Sequence, residues 1–379
     1  MRKKLLAIAA VGLMATATMT ACDDSDGTSD AGSGGGGTTG NQNGKARVGV
    51  ILPDTKSSQR WGTDDPRFLS QAFDAAGVPV EIKNAQGDKA QFQKIADDMI
   101  NSGVKVLIIV NLDSVSGRAV LQKARAKKIT TIDYDRLTLN GGADYYVSFD
   151  NTRVGELQAY SLEKCLADKK VDNPVVAELN GSPTDNNATL FKQGYDSVLQ
   201  VKYDAAEYTK GPDQFVPDWD NDEGGVIFDQ MLSQWPGIDG VLAANDGLAG
   251  AVIKVLRKKK LNGTVPVTGQ DATLEGLQNI LTGEQCVTVY KPIQPEAETA
   301  AKLAIAVFKG QKPVFLPTER IKDPESGAYL PFKSLTPQAV TAGNIQATVV
   351  RDKFVAVKDL CAGKYAKLCK AHKITPKAD

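Results

Sequence analysis

Along this chain, short runs of branched apolar residues alternate with longer stretches in which apolar positions return every three or four residues. Residues 47–52 (RVGVIL) form the first run and predict a strand. Residues 66–76 place Phe68, Leu69, Ala72, Phe73 and Ala76 on one face of a helix. A strand over 78–82 and a helix carrying Phe92, Ile95, Met99 and Ile100 follow. Residues 104–110 (VKVLIIV) are almost wholly apolar, as a strand covered on both faces must be. A helix over 115–126 and a strand over 129–133 complete the first half. The rhythm resumes with strands at 175–179, 238–243, 265–268 and 286–290, and with helices at 188–199, 248–258 and 274–281. This alternation predicts an α/β architecture of doubly wound parallel sheets with helices on both faces. In such sheets ligand groups gather at the carboxyl ends of the strands.

Length and charge narrow the reading. A single core rarely grows past ~250–300 residues, so 379 residues imply two lobes. With 42% hydrophobic and 24% charged residues the composition is that of an ordinary globular protein. Forty-five basic residues balance 45 acidic ones, which leaves no electrostatic footprint for nucleic acid. The one histidine, His372, rules out a histidine-rich metal site and argues against a His-centred triad. No metal or cofactor is expected.

The predicted strand ends carry polar residues of one chemical type: Gln59-Arg60-Trp61, Asp133-Tyr134-Asp135-Arg136, Ser148-Phe149-Asp150-Asn151, Asp185-Asn186-Asn187, Asn245-Asp246, Gly269-Gln270-Asp271 and Tyr290-Lys291-Pro292. Taken singly, an Asp or Asn at such a place is more often a helix N-cap than a ligand contact. Taken together, planar carboxylates, amides and guanidinium groups can each engage two adjacent hydroxyls. Indole offers its π face to the C–H face of a sugar ring. The set suits a carbohydrate better than a phosphate, a hydrophobe or a peptide.

The N-terminus is an address. Arg2, Lys3 and Lys4 precede an apolar or small stretch to about residue 17, too short to span a bilayer comfortably. Met19-Thr20-Ala21-Cys22 resembles the lipobox of bacterial lipoproteins, with Met19 in place of the usual Leu or Val. It implies a signal peptide over 1–21 and lipidation of Cys22; an ordinary secretory signal or an uncleaved anchor is the alternative. Residues 22–45, rich in Gly, Ser, Asp and Thr, read as a tether. Cys361 and Cys369 are expected to pair in an oxidising compartment, with a zinc clip as the alternative. Cys165 and Cys286 form either a second bridge or two buried thiols.

The phrases IDYDRL (132–137), YYVSFDNTRVGELQA (145–159), SPTDNNATLFKQG (182–194), AANDGLAG (243–250), TGQDATLEG (268–276) and TVYKP (288–292) resemble the D-xylose-binding proteins. These are solute receptors of ABC importers in the periplasmic-binding-protein type I group. The resemblance runs from about residue 48 to about 350. It implies two lobes joined by a three-crossover hinge, with 46–149 and 291–330 in the first lobe, 150–290 and 331–350 in the second, and 351–379 as a tail. It also implies that a monosaccharide, xylose first, meets Arg60, Trp61, Asp135, Arg136, Asn187, Asn245, Asp271 and Lys291. Asp150 and Asn151 either touch the sugar or hold the hinge and cap the next helix. Phe215 or Trp219 supplies a second stacking ring. The implied protein is a monomer outside the cytoplasm that meets the membrane only through its lipid and partners an ABC permease. A sensor lipoprotein presenting sugar to a membrane kinase fits nearly as well. A glycosidase would need an acid of raised pKa that nothing in the sequence demands. A sugar-responsive transcription regulator would carry a DNA-binding head where this chain has a leader.

Overall fold

The computed structural model describes residues 46–313 and 319–376; the expected leader, Cys22 and the expected tether lie outside these residues. In chain order the strands are β1 (Val48–Leu52), β2 (Val80–Asn84), β3 (Val106–Ile109), β4 (Thr130–Tyr134), β5 (Tyr145–Phe149), β6 (Val175–Asn180), β7 (Thr209–Phe215), β8 (Ile238–Ala243), β9 (Thr288–Tyr290), β10 (Glu319–Lys322), β11 (Tyr329–Leu335) and β12 (Gln338–Val340). The longer helices are α1 (Asp64–Ala75), α2 (Lys89–Asn101), α3 (Ser114–Ala126), α4 (Asn151–Asp168), α5 (Asn186–Asp204), α6 (Asn221–Gln234), α7 (Asp246–Lys259), α8 (Leu274–Leu281) and α9 (Ile293–Phe308).

The first lobe is built on a sheet of order β10-β11-β5-β4-β3-β1-β2, parallel except for the β10–β11 pair. Its middle strands are buried on both faces, so β1 and β3 contain almost nothing but Val, Ile, Leu and Gly. The apolar stripe of α1 (Phe68, Leu69, Phe73) and that of α9 cover one face, and Phe92, Ile95 and Met99 of α2 cover the other. The second lobe has the parallel order β7-β6-β8. It continues through bridges Val241–Val267 and Gln270–Val289 to the antiparallel pair β9–β12. The chain passes between lobes at 149–151, 290–293 and 335–338, which gives the expected three crossovers.

Three expectations change. The segment 265–268 meets β8 only at one isolated bridge, because Pro266 brings no N–H and the Thr268 hydroxyl, rather than a backbone group, binds Ala243. Residues 331–335 belong to the first lobe, not the second: β11 runs parallel to β5 with Phe332 beside Tyr146, and the return begins only after Leu335. The tail beyond 350 packs into the second lobe, where Leu360, Cys369 and Ile374 join Leu277, Ile280 and Val349 in one apolar cluster. Cys361 and Cys369 are disulfide-bonded with 5.8 Å between Cα atoms, and Cys165 is bonded to Cys286 with 6.4 Å.

Candidate functional site

Strand ends from both lobes meet in a cleft. Arg60, Trp61, Asp135, Arg136, Asn187, Asn245, Asp271 and Lys291 all line it. Of the alternatives, Trp219 lines it and Phe215 does not. Asp150 is exposed and caps α4 by accepting from the Arg153 N–H at 3.0 Å, and Asn151 is buried behind the lining. There the Asn151 side-chain amide donates to Asn187 Oδ1 at 2.9 Å, which fixes which way Asn187 points. Ser57, Ser58, Asp185, Phe191 and Gln270 also line the cleft and were not singled out by sequence reasoning. The strand-end pattern contained Asp185 and Gln270; Phe191 shares the helical face of Asn187 one turn on, a signal that was there to be used.

The same side chains cap helices and line the cleft. Asn245 accepts from the Leu248 N–H at 2.9 Å, capping α7, while its Nδ2 donates to the Ser57 carbonyl of the other lobe at 3.1 Å. Asp185 caps α5 through the Asn187 N–H, and its second oxygen accepts from Trp219 Nε1 at 3.1 Å and pairs with Arg136 Nε at 3.0 Å. Further cross-lobe contacts are Ser58 Oγ to Asp271 at 3.0 Å and Asn187 Nδ2 to Asp135 Oδ1 at 3.0 Å. Lys291, on the second crossover, lies 3.4 Å from Asp135 and 3.9 Å from Asp271.

Three cations in the lining, Arg60, Arg136 and Lys291, face three carboxyl groups, Asp135, Asp185 and Asp271. The chamber is therefore matched to an uncharged, hydroxyl-rich molecule and mismatched to a phosphate. Burial raises the pKa of Asp135, but Lys291, Arg60 and Arg136 outweigh it and hold the carboxyl below its ordinary value. It stays an acceptor. Trp61 Nε1 and Gln270 Oε1, both on lining residues, are buried without hydrogen-bond partners among the described residues, the one a donor and the other an acceptor. Asp135, Trp219 and Asp271 of the lining have φ of 61°, 58° and 100°, left-handed backbone that orients their side chains.

Trp219 reaches the cleft over Gly181, where any Cβ would collide with the indole ring. Gly181→Ala is expected to push the ring off its position and lower ligand affinity by about tenfold, roughly the ~0.5–1.5 kcal/mol carried by one aromatic contact. Titration calorimetry against wild type checks this, and unchanged affinity would remove Trp219 from the contact set.

The family model for the periplasmic binding protein domain matches residues 48–312. The D-xylose-binding periplasmic protein of Escherichia coli K12 is 35% identical over 313 residues, 82% of this chain and 91% of that protein. A multiple sugar-binding periplasmic protein of Azospirillum brasilense is 34% identical over 81% of this chain and 88% of its own length. Among solved structures, an ABC transporter solute binding protein from Clostridium phytofermentans with bound β-D-glucose superposes with a TM-score of 0.75 at 26% identity, covering 83% of this chain and 99% of that one. These relatives are binding proteins, not enzymes. The crossovers, the doubly wound lobes and the cleft between them agree with that likeness, and the chain belongs to the periplasmic binding protein family of type I fold, alongside the D-xylose-binding proteins.

Proposed function

We propose that this protein is an extracytoplasmic receptor that closes its lobes on one monosaccharide and hands it to an ABC-type importer, held at the membrane by a lipid on Cys22. D-xylose is the first candidate, from the two D-xylose-binding relatives at 35% identity, and D-glucose the second, from the sugar held by the Clostridium structure. The observation that carries the reading is the charge-balanced polar chamber with Trp61, Phe191 and Trp219 at its walls. Each buried polar side chain rejects an analogue lacking its hydroxyl, because the protein group is then left unpaired. The crossovers act as the hinge, and sugar shifts the open-to-closed population by its differential affinity. Asn245 and Asp271 take part in closure through the contacts that tie them to Ser57 and Ser58.

A thermal-shift screen over neutral aldoses tests this. A ligand at 100 times its dissociation constant is expected to stabilise the fold by about 2.7 kcal/mol. D-xylose should give the largest rise in Tm, and a flat response to every aldose would contradict the reading. Incorporation of labelled fatty acid, abolished by Cys22→Ser, tests the anchor.

A further inference from the structure

Behind the cleft, Arg60 spends most of its donors on the protein. Nε and Nη2 each reach an oxygen of Asp65 at 2.7 Å, Nη2 also reaches Glu296 Oε2 at 2.5 Å, and Nη1 reaches Asp135 Oδ2 at 3.0 Å. The Tyr134 hydroxyl donates to Asp65 at 2.5 Å. The guanidinium carbon lies 4.2 Å from the centre of the Trp61 ring. Asp65 and Glu296 are wholly buried and do not line the cleft. They stand in the first turns of α1 and α9, the latter directly after the second crossover.

We propose that Asp65 and Glu296 are positioning residues of the sugar site, locking Arg60 so that it holds Asp135 and the Trp61 ring, and that closing on sugar draws a proton onto this cluster at Glu296. The inference rests on the cleft being a monosaccharide site. Its ground is a count of facing groups. Glu296 meets Arg60 from the turn before α1, Asp65 from α1, the neutral phenol Tyr134 from β4, Asp135 from the segment after β4, and Lys291 from the crossover. Three carboxyl groups thus crowd Arg60 and Lys291, while Arg136 adds positive charge beside Asp135 and Lys291 is also drawn toward Asp271. Burial, the largest cause, raises Glu296 to about 8; Arg60 opposes this, and Asp135 and Asp65 add to it. Glu296 draws on Nη2 of the same guanidinium whose Nη1 holds Asp135, so the two carboxyl groups repel each other across one cation. Shutting the lobes strips water from Asp135 and Arg60, which makes a third negative charge costlier in the closed form than in the open one. The protonated form is then favoured by closure, so affinity falls as pH rises through the region of 8.

The test is calorimetric titration of the full-length protein with D-xylose, or with the neutral aldose that stabilises it most, from pH 6.5 to 9.0 in two buffers of different ionisation enthalpy. Wild type is expected to take up a fraction of a proton near pH 8 and to lose about threefold to tenfold in affinity across the range. Glu296→Gln, which removes the titrating group while its amide oxygen can still accept from Arg60, should show a flat pH profile and no buffer-dependent proton uptake whatever its affinity at pH 6.5. Asp65→Asn, which cannot accept from both Arg60 nitrogens, should lose about tenfold in affinity and, having removed one of the charges that raise Glu296, should move the fall in affinity to lower pH. Wild-type heats that do not depend on buffer overturn the proton linkage without recourse to any variant. A Glu296→Gln protein that keeps the slope overturns its assignment to Glu296, and an Asp65→Asn protein that binds like wild type overturns the positioning role. No binding of any aldose removes the underlying reading, and this inference with it.

Discussion

Replacing Arg136 by alanine is expected to weaken sugar binding by at least ~2 kcal/mol, about thirtyfold, because it strands buried acceptors. Arg136 is only 6% exposed and stands at the seam between the lobes. Its Nε pairs with Asp185 at 3.0 Å, Nη1 donates to the Asn111 carbonyl at 3.2 Å, Nη2 lies 3.4 Å from Ser57 Oγ, and its guanidinium carbon is 5.8 Å from the Trp61 ring centre. Removing one partner of a buried ion pair leaves the other charge uncompensated. Asp185 would then rely on Trp219 and a backbone N–H alone, and the chamber would pass from charge balance to a surplus of one negative charge. Arg136→Lys should recover only part of the loss, since an ammonium cannot reproduce the planar fork. Calorimetric titration reads the effect, and an Arg136→Ala protein that binds like wild type would exclude Arg136 as a contact.

The second large effect concerns stability. Helices α4 and α5 cross with their backbones touching. A methyl at Gly155 would collide with the Phe191 carbonyl, and one at Gly194 with the Thr152 carbonyl. Neither obstacle is a flexible side chain, so the helices must part. Gly155→Ala is expected to cost about 3 kcal/mol, at the top of the usual range for overpacking. That corresponds to a fall of roughly 6–12 °C in Tm at ~2–4 °C per kcal/mol. Because α5 carries Asn187 and Phe191, weaker binding should accompany the loss. Gly225→Ala is the control: on α6 its added methyl would meet nothing closer than Ala251 Cβ at 3.7 Å, and it should be neutral or stabilising by up to ~1 kcal/mol. Thermal unfolding of both variants decides the matter. Equal melting of Gly155→Ala and wild type would mean that the two helices do not pack backbone to backbone.

What could be read from residues alone follows from the range of the forces involved. Parallel strands buried on both faces must be apolar runs, so β1, β3, β4, β6 and β8 stand out in the sequence. Polar residues at their carboxyl ends then mark the cleft. β7 escaped because Thr209–Phe215 includes Gly211 and Pro212 and shows no alternation, as befits the outer strand of its sheet. β11 escaped because its place beside β5 depends on a long-range pairing, Phe332 beside Tyr146, which no local pattern encodes, and β10 is attached only to β11, at the edge of the sheet. The same holds for Asp65 and Glu296. Each reads locally as an acid in the first turn of a helix, and only the fold brings both against Arg60. Asp150 shows the other side: of the two roles open to it at a strand end, its carboxylate takes that of capping the helix that follows.

The measurement that bears most directly on the whole account is titration of the protein with D-glucose and with glucose 6-phosphate beside D-xylose. A balanced, enclosed chamber predicts one-to-one saturation by a neutral aldose near micromolar concentration, about −8 kcal/mol, with the phosphate ester failing to bind. Tight binding of the phosphorylated sugar, or no saturation by any neutral ring, would contradict it.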